Sequence, residues 1–123
     1  MTKLQNLIKD LKKANQRLKE ATRTKPTQMN KDATIQRFEF TFELTWKTIQ
    51  EYVRDQGFDC KSPRNSIREA AKLDIINNPK QWFAFLDNRN LIAHTYNEKI
   101  ANSIYRNALK FPQEVDKFLK EIS

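Results

Sequence analysis

Three side chains that suit chemistry on a phosphate lie close together near residue 90 of this 123-residue chain. His94 is the only histidine, Arg89 precedes it by five positions, and Tyr96 follows it by two. An imidazole can move a proton, and a guanidinium beside it can stabilise the negative charge of phosphate oxygens. The spacing therefore indicates a site for phosphate chemistry built on Arg89 and His94.

The apolar residues around Arg89 recur at helical spacing, so we predict a helix that runs through this segment toward Tyr96. On that helix Arg89 lies in the middle of one apolar stripe, and His94 lies at its flank on the side of Asp87 and Asn90. Burying a lone guanidinium is costly, so Arg89 needs either a partner or a wet cleft. The stripe consists of Trp82, Phe85, Leu86, Ile92 and Ala93.

Both rings of this segment also have a purely structural interpretation. The carbonyl-rich end of a helix favours a charged imidazole, so His94 could cap a helix end or pack into the core. Tyr96 could equally be an aromatic residue packed within a helical bundle. The residue types alone leave the structural and the functional interpretations open.

Composition narrows the class of protein. A chain of 123 residues and 14.7 kDa predicts one domain, residues 1–123, with room for one core. The single glycine, Gly57, excludes glycine-rich nucleotide loops, and Cys60 with one histidine cannot form the usual zinc site, so we expect neither cofactor nor metal. No stretch reads as a signal peptide or a bilayer span, and the expected location is cytoplasmic, away from membranes.

The net charge of +8 is concentrated near the amino terminus. Residues 1–25 contain eight Lys or Arg against Asp10 and Glu20, which gives +6 of the +8. Such a face can attract a polyanion through counterion release or contact an acidic partner. It can also be an ordinary solvated helix face.

Helical spacing recurs along the whole chain and no strand pattern interrupts it. The sequence predicts an all-α fold, an up-and-down antiparallel bundle of about five helices. The first helix is amphipathic and ends near Ala21, and a polar linker containing Pro26 extends from about residue 22 to 30. A long helix then runs from Lys31 to about Gln56 and ends at Gly57, a typical left-handed cap.

The later helix starts carry clear local signals. Ser62 and Asn78 each precede a proline, a combination that caps free amides and suits the first helical turn. We predict that they begin helices three and four and that Asn97 begins helix five. Pro112 lies within this last predicted helix and should kink it, because its ring removes one backbone hydrogen bond.

The long second helix has apolar residues on more than one side. Phe40 and Leu44 lie off its predicted core stripe, and one buried face is all that a bundle helix needs. The surplus predicts a second contact surface, used by a homodimer or a partner protein. The predicted core stripe consists of Ile35, Phe38, Phe42, Trp46, Ile49 and Val53.

Three segments resemble a known family. The segment from Arg89 to Tyr96, RNLIAHTY, resembles the Arg-x4-His motif of HEPN-domain ribonucleases and the Arg-x4-His-x-Tyr form of HEPN toxins. Ile35 to Lys47, IQRFEFTFELTWK, and Ser62 to Leu73, SPRNSIREAAKL, with Trp82 following, are similar to nucleotidyltransferase substrate-binding proteins, a HEPN-like branch with a four-helix core. This resemblance covers nearly the whole chain. One departure is Asp74, where a small residue is expected at a helix end.

The resemblance implies a metal-independent cleavage of RNA, in which the ribose 2′-hydroxyl attacks the adjacent phosphate. His94 would be the general acid or base, Arg89 would stabilise the developing charge, and Asp87 and Asn90 would orient the imidazole. Such a reaction benefits from two proton-transfer groups, and each chain supplies one histidine. A two-fold homodimer would bring two His94 side chains to one cleft.

The resemblance also implies a partner protein. In the favoured hypothesis the chain is a ribonuclease toxin paired with a minimal nucleotidyltransferase antitoxin, which silences it by transferring AMP to Tyr96. In the alternative hypothesis it is a non-catalytic substrate-binding subunit of a two-component nucleotidyltransferase. The chain itself lacks the Gly-Ser turn and the Asp-x-Asp pair of a catalytic nucleotidyltransferase. The intact motif favours the toxin, since a scaffold has no need of it.

Overall fold

The computed structural model describes all 123 residues as helices joined by short turns, with no strand. The predicted all-α bundle is confirmed, and α1 runs antiparallel to α2. None of the helices is long and apolar enough to span a membrane. A 3-10 turn, Ile92–His94, separates the fourth helix from the fifth, and the helices are α1 Lys3–Thr22, α2 Gln28–Asp55, α3 Pro63–Lys72, α4 Pro79–Asn90, α5 Glu98–Ala108 and α6 Phe111–Ile122.

The central element is α2, which packs against each of the other five helices. The core contains 21 buried apolar residues, and aromatic rings form its middle. Phe111 of α6 lies 4.8 Å from Phe85 of α4 and 5.2 Å from Phe38 of α2, measured between ring centroids. Edge-to-face pairs of this kind contribute about 0.5–1.5 kcal/mol each beyond the area that they bury. These rings therefore hold α4 against α2.

The predicted helix boundaries with local signals are confirmed. The Ser62 hydroxyl accepts a hydrogen bond from the Asn65 amide at 3.1 Å, and the Asn97 side chain accepts one from the Ile100 amide at 3.2 Å. Gly57 has a φ of +89°, the left-handed conformation expected beyond the end of α2. The linker between α1 and α2 is shorter than predicted, because Thr27 already caps α2.

The prediction of a single, kinked last helix is wrong. Helix α5 ends at Ala108, and Pro112 lies in the first turn of a separate helix, α6. A proline removes no helical hydrogen bond there, since the amides of the first turn have no partner within their own helix. The carbonyl oxygen of Pro112 accepts a hydrogen bond from Asn15 Nδ2 at 3.1 Å, which ties this start to α1.

The second apolar side of α2 is largely occupied within one chain. Phe40 is half-buried beneath the guanidinium of Arg17, whose Cζ lies 5.8 Å from the ring centroid. Leu44 is half-buried and packs against the core, and so is Trp46, which we predicted to lie fully inside. This side of α2 therefore requires no partner, and the homodimer stays a prediction.

The departure at Asp74 has a conformational explanation. Asp74 has a φ of +56° just beyond α3, where the amides of Asp74 and Ile75 bond back to the carbonyls of Ala71 and Ala70, both at 3.1 Å. This is the left-handed helix end that glycine usually occupies, and Gly57 occupies the same position after α2. The aspartate is tolerated there at a cost of about 1 kcal/mol relative to glycine.

The single cysteine has a structural role. Cys60 is fully buried, and its Sγ lies 2.8 Å from the hydroxyl of Ser66 at the start of α3. Burial raises the pKa of the Cys60 thiol above its ordinary value. The group is therefore kept as a neutral thiol that packs the loop between α2 and α3 onto the core.

Candidate functional site

Arg89, in the last turn of α4, is held by a carboxylate of α2. Its Nε donates to Glu43 Oε1 at 2.6 Å, and the two side chains are only 30% and 29% exposed. The other carboxylate oxygen of Glu43 accepts from the indole Nε1 of Trp46 at 2.9 Å, and Arg89 Nη1 donates to Asn90 Oδ1 at 3.1 Å. Of the two arrangements predicted for this guanidinium, a partner or a wet cleft, the structure shows a partner, which fixes its orientation.

The helix that carries the motif ends earlier than predicted. α4 stops at Asn90, Leu91 caps it, and the chain then enters the 3-10 turn that contains His94. The His94 amide bonds to the Leu91 carbonyl at 2.9 Å, and the Asn97 amide bonds to the His94 carbonyl at 3.0 Å. The apolar stripe is correspondingly shorter, with Ala93 exposed at its end.

The start of α5 limits how far α4 can run. Asn97 caps α5, so the chain has to turn back in the segment after Asn90. The two helices then meet where the buried side-chain carbonyl of Asn88 in α4 accepts a hydrogen bond from Asn107 of α5.

His94 and Tyr96 are both exposed on this turn. The Tyr96 side chain is 85% exposed, and its hydroxyl lies 3.5 Å from His94 Nδ1, the outer limit of a hydrogen bond. The two rings meet edge to face with centroids 6.0 Å apart. His94 is therefore not a core histidine, and Tyr96 is not a packed bundle aromatic. Both side chains are open to a ligand or partner.

The two residues predicted to support His94 have other partners. Asp87 Oδ1 lies 3.7 Å from the guanidinium of Arg64, which itself covers the ring of Phe83. Asn90 accepts from Arg89, as described above. The structure thus brings Asn90 to Arg89 and Tyr96 to His94, but it brings neither Asp87 nor Asn90 to the imidazole. The 3-10 turn is the reason, because it carries His94 off the face of α4.

Glu43 is a site residue that the sequence analysis missed. It lies within the segment of α2 that resembles the family, but no role was predicted for its carboxylate. The signal that could have found it is the positive charge of Arg89, since a guanidinium on an apolar stripe needs a carboxylate partner. The carboxylates of α2 are Asp32, Glu39, Glu43, Glu51 and Asp55.

The protein is an all-α bundle. At the end of α4 a carboxylate holds an arginine, and a histidine and a tyrosine are exposed. The chain belongs to the family described as "Nucleotidyltransferase substrate binding protein like", whose model matches residues 2–123. This membership agrees with the resemblance found in the sequence.

Individual relatives extend the comparison. The chain is 30% identical over 94 residues to a Haemophilus influenzae protein named "Probable ribonuclease HepT", a match that covers 72% of this chain and 60% of that protein. A crystal structure from Thermus thermophilus is similar with a TM-score of 0.85 and 34% identity, over 89% of this chain and 96% of the other. The fold is also that of a Haemophilus influenzae protein described as a substrate-binding domain of a nucleotidyltransferase, with a TM-score of 0.79, 22% identity and coverage of 94% and 98%.

The pair formed by Glu43 and Arg89 should be coupled energetically. In a double-mutant cycle with Glu43→Ala and Arg89→Ala, we expect a coupling of about 1 kcal/mol in the free energy of unfolding, because this contact is short and largely shielded. The cycle for the pair of Lys61 and Asp59, 3.4 Å apart with both side chains exposed, is the control and should give almost none. Urea unfolding followed by circular dichroism measures both. Equal coupling in the two cycles would show that Glu43 does not hold Arg89.

Proposed function

We propose that this protein is a HEPN-type endoribonuclease that works without a metal ion. The observation that carries the proposal is that Glu43 fixes the guanidinium of Arg89 at the end of α4, while the His94 side chain stays exposed. A guanidinium held in place and an exposed imidazole, five residues apart in one segment, are the two kinds of group that suit cleavage of a phosphate ester. The ribonuclease name of the Haemophilus relative supports the same assignment.

The chemistry follows from these two groups. The ribose 2′-hydroxyl loses its proton and attacks the adjacent phosphorus, the bond from phosphorus to the 5′-oxygen breaks, and that oxygen takes up a proton. The products are a 2′,3′-cyclic phosphate and a 5′-hydroxyl. His94 accepts the first proton or supplies the second, and the free N–H groups of Arg89 stabilise the phosphorane-like charge.

Replacing His94 by alanine should abolish cleavage without disturbing the fold. A general acid or base contributes about 10²–10⁴-fold, so we expect at least a hundredfold loss of the rate on a 5′-labelled RNA. Circular dichroism should be unchanged, since the imidazole is exposed and its one hydrogen-bond partner is the exposed Tyr96 hydroxyl at 3.5 Å. Wild-type activity should persist in EDTA and leave a cyclic phosphate end. Cleavage that needs a divalent ion, or that survives in His94→Ala, rules out this mechanism.

The exposed motif also supports a homodimer across this surface. Leu91 and Tyr96 are large side chains that remain 38% and 85% exposed on either side of His94. A two-fold axis through this surface would cover both and would bring two His94 rings into one cleft, which supplies the two proton-transfer groups. We therefore propose that the motif surface, rather than the second apolar side of α2, forms the dimer.

Two charge substitutions distinguish the surfaces. Leu91→Glu should convert the dimer into a monomer in light scattering at micromolar concentration, because it places a carboxylate at the proposed interface. Phe40→Glu is the matched control on α2 and should leave the dimer intact. If Phe40→Glu dissociates the dimer and Leu91→Glu does not, the interface lies on α2. A monomeric wild type would refute the dimer altogether.

We further propose a minimal nucleotidyltransferase as the partner, in a toxin–antitoxin pair that silences the ribonuclease by transferring AMP to Tyr96. Tyr96 is the most accessible of the three tyrosines, since Tyr52 and Tyr105 are half-buried. An adenylate on its hydroxyl would put a phosphate and a bulky nucleoside beside His94. It would compete with RNA for Arg89 by charge and block His94 by size.

Mass spectrometry after co-expression with the partner tests this modification. We expect one added AMP on the wild type, none on Tyr96→Phe, and an unchanged single addition on Tyr52→Phe and Tyr105→Phe. The reason is access, because Tyr96 is 85% exposed whereas Tyr52 and Tyr105 are half-buried. AMP on another residue, or suppression of activity without any added mass, would favour inhibition by complex formation alone.

A second candidate function is a non-catalytic subunit that presents a substrate to a nucleotidyltransferase. The family description favours it, and so does the Haemophilus structure described as a substrate-binding domain. Under this alternative, the exposed His94 and Tyr96 would be contact residues. The comparison of wild type with His94→Ala on RNA separates the two candidates, since the subunit would show no cleavage by either protein.

A further inference from the structure

A lysine-lined cleft lies between α1 and α6, away from the motif. Its volume is about 510 Å³, and four lysines line it, two from α1 and two from α6. α1 packs mainly on α2 and α6, whereas the motif lies at the end of α4. The lysines are Lys12, Lys19, Lys117 and Lys120.

The floor of this cleft is fixed by a buried amide. Asn15 is 2% exposed, and its Nδ2 donates to the Pro112 carbonyl at 3.1 Å and to Asp116 Oδ1 at 3.0 Å. These two bonds join α1 to α6 and set the distance between the helices. The cleft is therefore already formed in the free protein, which lowers the cost of binding.

The positive charge in the cleft is only partly compensated. Asp116, the one acidic side chain in its lining, is engaged by Lys19 at 2.6 Å. Lys117 lies 3.4 Å from Glu114, whereas Lys12 and Lys120 have no carboxylate within ion-pair distance. Two unpaired ammonium groups on opposite walls of a preformed cleft fit an anion placed between them.

The spacing of the lysines indicates a polyanion rather than a single phosphate. A shallow depression on the surface of α1, of about 520 Å³, shares Lys12 with the cleft and adds Lys9 and Lys13. From Lys9 to Lys19 the helix rises about 15 Å at 1.5 Å per residue. One phosphate group cannot contact lysines so far apart, but a chain of phosphates can.

The lining of the cleft also favours a nucleic acid over an acidic protein. Leu119 is the one hydrophobic residue that lines the cleft between α1 and α6, Met1 and Ile8 are those of the depression on α1, and neither lining contains an aromatic residue. Protein interfaces usually have an apolar centre, and base recognition in single strands uses aromatic stacking. Lysines alone suit a phosphate backbone contacted without regard to sequence.

We propose that the cleft between α1 and α6, extended along α1 by Lys9 and Lys13, binds the phosphate backbone of RNA at a distance from the reactive phosphate. The choice of RNA over other polyanions rests on the proposed ribonuclease function. The cleft would hold the substrate by charge, while Arg89 and His94 act on one phosphate of the same molecule.

The salt dependence of RNA binding tests this site. In a His94→Ala background, which prevents cleavage, fluorescence anisotropy measures the affinity for a labelled oligouridylate at several salt concentrations. Each lost phosphate contact lowers the slope of log K against log salt by about 0.7 for a single strand. Lys12→Gln with Lys120→Gln should therefore reduce the slope by about 1.4 and weaken binding about 25-fold at about 0.1 M salt.

The matched control is Lys25→Gln with Lys80→Gln, which removes the same charge from two exposed lysines outside the cleft. This control should keep the wild-type slope. An equal reduction in both double variants, an unchanged slope in the cleft variant, or no RNA binding by any form would overturn the proposal. Polyglutamate bound as tightly as RNA, through the same lysines, would assign the cleft to an acidic protein instead. Because binding is read without cleavage, an absent ribonuclease activity is a separate result.

Discussion

The contact of Phe111 with the rings of α2 and α4 is the interaction on which the rest of the molecule depends. It joins three helices at one point, with ring centroids 4.8 Å from Phe85 and 5.2 Å from Phe38. Phe85 lies one turn before Arg89 on α4, so this contact also sets the position of the Arg89 guanidinium. The short bond to Glu43 is possible because the aromatic core has already placed the two helices.

The site combines a rigid half with an open half. Arg89 is oriented by a carboxylate that is itself held by the indole of Trp46, so its direction is set before any ligand arrives. His94 and Tyr96 belong to a turn and meet solvent. A preorganised cation lowers the cost of stabilising developing charge, while an accessible ring and hydroxyl can be reached by a substrate or by a modifying enzyme. The same surface can thus serve both activity and control.

Structural features that depend on residues close together in the sequence were predictable. Features that depend on contacts between residues far apart in the sequence were not. Ser62 with Pro63 and Gly57 act on backbone groups within a few residues of themselves, so the helix boundaries that they mark were correct. A proline such as Pro112 can either bend a helix or start one, and the neighbouring residues do not decide which.

The arrangement around the motif was predictable only in part. The identity of Arg89 as a residue in need of a partner followed from its place on an apolar stripe. The partner, Glu43, is 46 positions away, and no local pattern selects it. The end of α4 at Asn90 has no glycine cap to mark it in the sequence, so the positions of His94 and Tyr96 followed only from the structure.

The turn after α4 is also the part of the site that is easiest to open. None of residues 91–97 is buried, and the backbone hydrogen bonds from the amides of His94, Thr95 and Asn97 all close within this segment. Ile92 is the one side chain of the segment that packs against the core, and it is only partly buried, so local opening needs far less free energy than unfolding the bundle. Amide hydrogens here should exchange with solvent long before those of α2. The segment can therefore change its conformation on contact with a ligand or a partner protein, while the helices that carry Arg89 and Glu43 stay folded.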